Sequence, residues 1–494
     1  MKIALNIAMI SSEAAPYSKT GGMADVCGAL PKALIKAGHN VMVFSPFYKE
    51  VMHSGRDIKE TAMQIKVKLG KKEYSAKIWK EGNFYFIQNN DFYLREELYG
   101  SGLNDYPDNH LRFAFLSIAS LEAIEQMREK IDILHCHDWQ TALAPLYLKM
   151  HYKNKDLFSG TASVFTIHNL AYQGLFPEEA MEDIGLPKSL FNYKELEFHN
   201  QLSFIKSGLI FSDLLSTVSR KYSKEIQGAD FGCGLEGVLK ERSKQLFGII
   251  NGIDYKEWDP ASDIHIKKNY SVSNLAGKTA CKKELKKIFK LPYIGDVPLI
   301  GMVSRLDAQK GFELIEKAEK NLLGLPLQLV FLGKGSKSIQ AFLKKMAKKH
   351  PEKVGLKIGY DNALAHKIEA GADIFLMPSH YEPCGLNHLY SLKYGTIPIV
   401  RATGGLDDTI VAYSPAGKKG NGFKFRAYTA DAMLKSIKKA LHIFSSEPKE
   451  WERLQITAMR EEHSWEKSAA NYIEIYGKAL LAANINKESG KNKQ

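Results

Sequence analysis

Cysteine is scarce and scattered: Cys27, Cys136, Cys233, Cys281 and Cys384 are five in 494 residues, an odd number with no C-x-x-C pair. That spacing argues against a disulfide framework and a cysteine zinc site, and it fits a reducing cytoplasm. No uncharged apolar run approaches the roughly 20 residues needed to span a bilayer, so no membrane partner is expected. Residues 1–10 lead into Ser11-Ser12-Glu13 without a cleavage site and read as a buried first strand rather than a secretion signal. No repeat of solenoid period is present. The basic excess, 68 Lys+Arg over 55 Asp+Glu for +13, suits nucleic acid, a membrane surface or a phosphate-bearing substrate. Its dispersed lysines, such as Lys344, Lys345, Lys348 and Lys349, lack an aromatic-rich RNA-binding signature. Solvated helix faces are therefore expected, and no nucleic-acid partner.

Hydrophobic residues at 45% and charged residues at 25% describe an ordinary globular chain. Its length exceeds what one core supports, so two domains are expected. Short apolar runs bounded by Gly, Ser or Asn alternate twice with helical patterns, the signature of parallel sheets flanked by helices. Strands are expected at 3–10, 40–45, 131–135, 162–166 and 214–218, then at 299–303, 327–332, 354–358, 374–377 and 398–401. The Asn251-Gly252 turn between the sets marks a boundary. The expected domains are 1–250 and 251–461, with a helix over about 462–483 packing back on the first and a disordered Lys/Asn/Ser-rich tail, 484–494.

Four segments follow expected strands, where ligands bind in open α/β folds. Lys19-Thr20-Gly21-Gly22 is a glycine loop ahead of a helix starting near Asp25; it suits a diphosphate or is a plain strand-to-helix turn. It lacks both the Walker spacing and the dinucleotide fingerprint. His135-Cys136-His137-Asp138-Trp139 invites a metal, since His135 and His137 share a face if extended. Asp138 points the other way and no third ligand is evident, which favours packing for at least one histidine and a sugar or acceptor contact for Asp138. His168-Asn169 offers the neutral donors and acceptors that a sugar needs, or a satisfied loop network. Arg305 and Lys310 lie beyond residues 299–303, either offsetting charge on a departing diphosphate or standing as surface cations.

The densest segment is Pro378-Ser379-His380-Tyr381-Glu382-Pro383-Cys384-Gly385-Leu386. Glu382 sits just ahead of a helix start, as a site carboxylate or an ordinary dipole-favoured one, and the Gly385 and Leu386 amides can hold phosphate oxygens. Ala402-Thr403-Gly404-Gly405 repeats the glycine device one strand later. Cys384 has no histidine-plus-acid constellation and reads as a packing thiol.

In order, the lysine-glycine loop, HDW, IHN-LAYQG, TVS at 217–219, NGID, SR-L-x-x-QKG and EPCGL resemble the bacterial glycogen synthase and starch synthase family from Lys19 to about Tyr476. The resemblance implies a GT-B glycosyltransferase architecture, an α/β fold of two Rossmann-like domains facing a central cleft. The acceptor glucan lies mainly on the first and the nucleotide sugar mainly on the second. It implies retaining transfer of glucose from ADP-glucose to the non-reducing end of an α-1,4-glucan, extending glycogen in the cytoplasm. The catalytic candidates are Glu382, Lys310, Arg305, His168 and Asp138. Lys19, Arg305 and Lys310 would contact the diphosphate, with Gly21, Gly385 and Leu386 supplying amides. Glu382 would hold the donor glucose or ribose region, His168 and Asn169 the glucose hydroxyls, and Tyr360 the base. Gly22, Asn251, Thr403, Gly404 and Tyr99 complete the substrate-binding set.

Related families carry a second glutamate eight positions after the first; Tyr390 stands there, as in the synthase branch. Gln140, Asn387 and His388 depart from that branch and touch acceptor and local donor details. No D-x-D occurs, in keeping with a donor site that uses side-chain cations and neither metal nor cofactor. The competing readings are an α-glucan phosphorylase, a nucleotide-sugar epimerase, a silent glucan-binding scaffold and a nucleic-acid binder.

Overall fold

The computed structural model describes residues 4–101, 104–417 and 419–491, and of 485–491 only the backbone course. The chain divides into two compact units: Met1–Val218, Ser223–Gly252 and Trp465–Gln494 in the first, Ser219–Tyr222 and Ile253–Ser464 in the second. Among the described residues, no helix is long and apolar enough to cross a membrane.

The first unit is built on β1 (Asn6–Ile10), β2 (Asn40–Pro46), β3 (Lys59–Leu69), β4 (Lys72–Glu81), β5 (Phe84–Gln88), β6 (Ile133–His137), β7 (Ala162–Ile167), β8 (Leu214–Thr217) and β9 (Leu246–Gly248). Their order in the sheet is β9–β8–β7–β6–β1–β2–β5–β4–β3. The strands are parallel except where β4 runs antiparallel to β3 and β5. Every residue of β6, β7 and β8 is buried, because helices cover both faces and leave no polar side to alternate with. β3 does alternate: Ile65, Val67 and Leu69 are buried while Lys66 and Lys68 are exposed. Helix α1 (Gly22–Lys36) follows β1, and α2 (Asn109–Met127) precedes β6. The C-terminal helix Trp465–Lys491 lies against α1 and β7, burying Tyr472 and Tyr476.

The second unit is an all-parallel sheet of β10 (Leu299–Val303), β11 (Gln328–Gly333), β12 (Val354–Ile358), β13 (Ile374–Met377), β14 (Ile397–Arg401) and β15 (Phe423–Phe425), ordered β12–β11–β10–β13–β14–β15. Helices α3 (Ala276–Ile288), α4 (Phe312–Leu323), α5 (Asn362–Gly371), α6 (Asn387–Lys393) and α7 (Gly404–Thr409) belong to it. In α4, Leu314, Ile315, Ala318 and Leu322 recur at helical spacing and are buried, fixing the face turned to the core.

Three expectations change. β6 runs two residues past its expected end at His135, so His137 too lies inside the strand. The tail expected to be disordered from Asn484 continues the C-terminal helix as far as Lys491, since the sequence there contains no proline and each added residue extends an existing helix without a new nucleus; residues 492–494 lie outside the described residues. The first strand begins at Asn6 rather than at residue 3, which is likewise outside them.

Candidate active site

In the second unit the predicted residues other than Tyr360 lie beyond the carboxyl ends of three neighbouring strands, β10, β13 and β14, where such sheets bind ligands. Lys310 Nζ donates to both oxygens of Glu382, at 3.0 and 2.7 Å, and Ser379 Oγ donates to Oε2 at 3.0 Å. The side chains of Lys310 and Glu382 are only 15% and 6% exposed. Asp307 caps the turn that carries Lys310, accepting its amide. Two bonds join this turn to the 378–386 loop: the His380 amide to the Gln309 carbonyl (2.8 Å) and Gln309 Nε2 to the Tyr381 carbonyl (3.2 Å). Arg305 is half-exposed, 3.2 Å from Gln309 Oε1 and 3.4 Å from Asp307.

The loop is wedged from the other side by the Thr403-Gly404-Gly405 turn, whose Gly405 amide donates to the Glu382 and Pro383 carbonyls. A Cβ on Gly404 would collide with the Glu382 carbonyl oxygen, and its φ of +45° is costly for other residues. Thr403 is buried; Gly385 has φ +75° and Leu386 precedes α6. Asn387 Nδ2 donates to the Val303 carbonyl at 2.8 Å, tying α6 to β10. His388 is buried behind Gly385. Thr409 Oγ1 donates to the Gly405 carbonyl, so its 2.7 Å contact with His388 Nε2 makes that nitrogen the N–H. His388 Nδ1 then carries an unpartnered lone pair, and burial, His463 and Lys310 pull the imidazole pKa down to about 3. Tyr360 follows β12 and is 79% exposed.

The first unit places its predicted residues beyond β1, β6 and β7, neighbours in its sheet. Asp138 has φ +55° and is buried. Its Oδ1 accepts the His168 amide at 2.6 Å and the Asn169 amide at 3.4 Å, so it holds the end of β7 to the end of β6. Burial pushes its carboxyl pKa up to about 7 against those two bonds. His168 Nε2 lies 3.0 Å from His137 Nδ1, and His135 is held by Tyr476 OH (2.9 Å) and Thr166 Oγ1 (2.7 Å). Burial holds all three imidazoles neutral, His135 and His168 at about 3 and His137 well below its usual value. Among the described residues no three His, Cys, Asp or Glu side chains converge on a metal position. Asn169 Oδ1 accepts the Ala171 amide, and Asn251 is buried with Oδ1 unpartnered. Gly174 closes the LAYQG segment at φ +60° directly against the Trp139 ring.

Lys19 pairs with Asp25 at 2.6 Å, and with Thr20, Tyr99 and Glu97 lines a cavity of about 420 Å³. Gly22 is exposed at the start of α1. Gly21 departs from expectation: its amide, assigned to a substrate phosphate, is directed at the buried Glu13 carboxylate at 3.3 Å, as the Thr20 amide is at 2.5 Å. Tyr99 OH also donates to Glu13. Sequence reasoning passed over Glu13, Ser379 and Asp307. The signal for Glu13 was available, a lone acid among small residues just past the first strand.

Two family models match, starch synthase catalytic domain over residues 6–241 and glycosyl transferases group 1 over residues 283–453. The chain is 43% identical over 480 residues to a glycogen synthase of Koribacter versatilis, covering 96% of this chain and 98% of that protein. It is also 43% identical over 486 residues to a glycogen synthase of Pseudothermotoga lettingae, covering 96% and 99%. Among solved structures it is similar to the catalytic domain of starch synthase IV from Arabidopsis thaliana bound to ADP and acarbose, with TM-score 0.89 and 33% identity over 97% of this chain and 100% of that one. A sucrose-phosphate synthase from Thermosynechococcus elongatus, at TM-score 0.59 and 16% identity over 97% and 100%, shares the fold.

Proposed function

The chain belongs to the glycogen synthase and starch synthase family of glycosyltransferases, and on that premise we propose that Lys310 and Glu382 form the core of its donor site. It is a two-domain α/β glycosyltransferase that transfers glucose from ADP-glucose to the non-reducing end of an α-1,4-glucan with retention of configuration, elongating glycogen. In that reaction the bond from C1 to the diphosphate breaks, the glucan 4-hydroxyl oxygen bonds to C1, and the hydroxyl proton is released.

The observation that carries the donor-site reading is the Lys310–Glu382 pair, assembled from two loops 72 residues apart and nearly excluded from water. Negative charge grows on the leaving diphosphate in the transition state, and a fixed cation at that point stabilises it most where the dielectric is low. Glu382, already holding Lys310 in place, offers its second role, accepting a sugar hydroxyl, without reorganising. Arg305 adds a second, more exposed cation, and Tyr360 presents a ring face for the base. With side chains supplying the positive charge, the reaction needs neither metal nor cofactor. In the first unit, Asp138 acts through the backbone it holds, presenting a neutral His168 and Asn169 to sugar hydroxyls.

The test is transfer of labelled glucose to glycogen from ADP-glucose and, separately, from UDP-glucose, each with a chelator present. Incorporation from ADP-glucose that is insensitive to chelator is expected. Incorporation confined to UDP-glucose would change the donor, and loss on chelation would overturn the side-chain-cation reading.

A further inference from the structure

The lysine-glycine loop of the first unit carries its own anion. Glu13 lies three residues past β1 and is 3% exposed. Its Oε1 accepts the hydroxyls of Thr20 (2.6 Å) and Tyr99 (2.5 Å), and its Oε2 accepts the amides of Thr20 (2.5 Å) and Gly21 (3.3 Å). An ionised carboxylate has about four acceptor positions, and here each meets a donor. Successive amides converging with a hydroxyl on anionic oxygens, one residue before a helix start, is the arrangement by which a protein cradles phosphate. Gly21 is the N-cap of α1. The nest expected to receive a ligand is thus filled from within.

The opposite wall is also fixed. Because Tyr99 OH gives its proton to Glu13, the 2.8 Å contact with Ser12 Oγ is one that Ser12 donates. Arg112, fully buried, donates to the Leu98 carbonyl (2.9 Å) and to Asn109 Oδ1 (2.6 Å), while Asn109 Nδ2 donates to the Tyr99 carbonyl (2.9 Å). The segment that brings Tyr99 to Glu13 is therefore held by a buried guanidinium, and Glu13 is clamped between two independently anchored pieces of chain.

We propose that Glu13 is the positioning residue of this loop: an internal carboxylate occupies the anion nest of Thr20 and Gly21 and so sets the place from which Lys19 and the exposed Gly22 meet the donor's diphosphate. The proposal rests on the glucosyl-transfer reading above. A loop held this way keeps one geometry with or without ligand, so ligand binding does not have to order it. It also means that the phosphate contacts of the loop come from Lys19 and the residues after Gly21, not from Gly21 itself.

The experiment is steady-state kinetics on the full-length chain with ADP-glucose and glycogen, comparing wild type, Glu13→Gln, Glu13→Asp, Lys19→Ala and Glu13→Gln/Lys19→Ala. Glu13→Gln removes the charge and turns one accepting oxygen into a donor, so either the two amides lose their acceptor or the Thr20 and Tyr99 hydroxyls must turn to accept. It should raise the KM for ADP-glucose and the inhibition constant of ADP about tenfold, leave the KM for glycogen unchanged, and be partly rescued by Glu13→Asp. Since Glu13 acts in part through Lys19, the effect of Glu13→Gln should be smaller in the Lys19→Ala background than in wild type. An unchanged donor KM, or losses that simply multiply, would overturn the proposal. If Glu13→Gln does not fold, Thr20→Val, which deletes one donor, must shift the donor KM in the same direction; no shift counts against it. A wild type that transfers no glucose refutes the glucosyl-transfer reading instead, so the two failures are told apart.

Discussion

Lys310 has one role in the structure, as the partner of Glu382, and a second in the proposed reaction, and the two can be separated. As the partner of Glu382 it compensates a carboxylate that is 6% exposed and that, among the described residues, otherwise receives Ser379 Oγ at 3.0 Å. Removing one member of a buried pair costs about 3–5 kcal/mol because the other is left charged and unpaired. The lower end applies here, since Lys310 is 15% exposed and Ser379 remains. For a unit of this size each kcal/mol lowers the melting temperature by about 2–4 °C, so Lys310→Ala should lower it by about 6–12 °C. As the cation at the leaving group it should be worth roughly a preorganised oxyanion donor, about 10²–10³-fold in turnover. The double variant Lys310→Met/Glu382→Gln removes both charges, so most of the lost melting temperature should return while turnover stays at or below that of Lys310→Ala. The assays are thermal unfolding and initial rates of glucose transfer at saturating donor. A double variant that regains turnover together with stability would show that Lys310 only supports Glu382, and near-normal turnover of a folded Lys310→Ala would remove it from the site.

Acid should destabilise the protein through its buried histidines. His135, His168 and His388 are held at about 3 and His137 well below its usual value, whereas unfolded histidine titrates near 6.5. The unfolded chain therefore binds more protons below that value, and stability rises with pH up to about 6.5. Asp138 and Glu369, pushed up to about 7 and about 8, oppose this because they are protonated when folded. With four groups against two, the net is about two protons, or roughly 2.7 kcal/mol per pH unit between pH 5 and 6. Urea midpoints that do not move over that range would refute the account. Tyr360→Ala should raise the KM for ADP-glucose several-fold with turnover and melting temperature unchanged, because the residue is 79% exposed; a lowered melting temperature would give it a structural role instead. Gly404→Ala forces a Cβ onto the Glu382 carbonyl oxygen at a φ of +45° and should abolish transfer while the first unit melts as in wild type, which limited proteolysis combined with calorimetry reads; retained transfer would mean that the 378–386 loop is less tightly wedged than its geometry implies.

What was legible in the sequence follows the range of the interactions involved. Strands of the second unit at Leu299–Val303, Val354–Ile358 and Ile374–Met377 fall where apolar runs bounded by turn residues place them, because a strand buried on both faces must be apolar throughout. Alternation along β3, with Ile65, Val67 and Leu69 inward, was equally present in the sequence and was passed over in favour of the parallel pattern. Arg305, Lys310 and Glu382 could be picked out because each follows a strand. That Lys310 reaches both oxygens of Glu382 could not, since the contact joins residues 72 apart through the adjacency of β10 and β13, and sheet order is not written in either segment.

The same distinction applies to two segments of the first unit. Packing was the favoured reading for the histidines before the aspartate, and β6 running through His137 agrees with it: burial makes both neutral, Tyr476 and Thr166 take the two His135 nitrogens, and His168 meets His137 Nδ1. A glycine loop before a helix suggests a ligand's phosphate only while its amides are imagined unfilled, and Glu13 fills them. In both cases the local pattern identified the right place in the fold, and the chemistry there was decided by a group that the pattern does not contain. Sites of this kind should be read from sequence as locations, with the roles of individual atoms assigned only after every buried donor and acceptor around them has been given its partner.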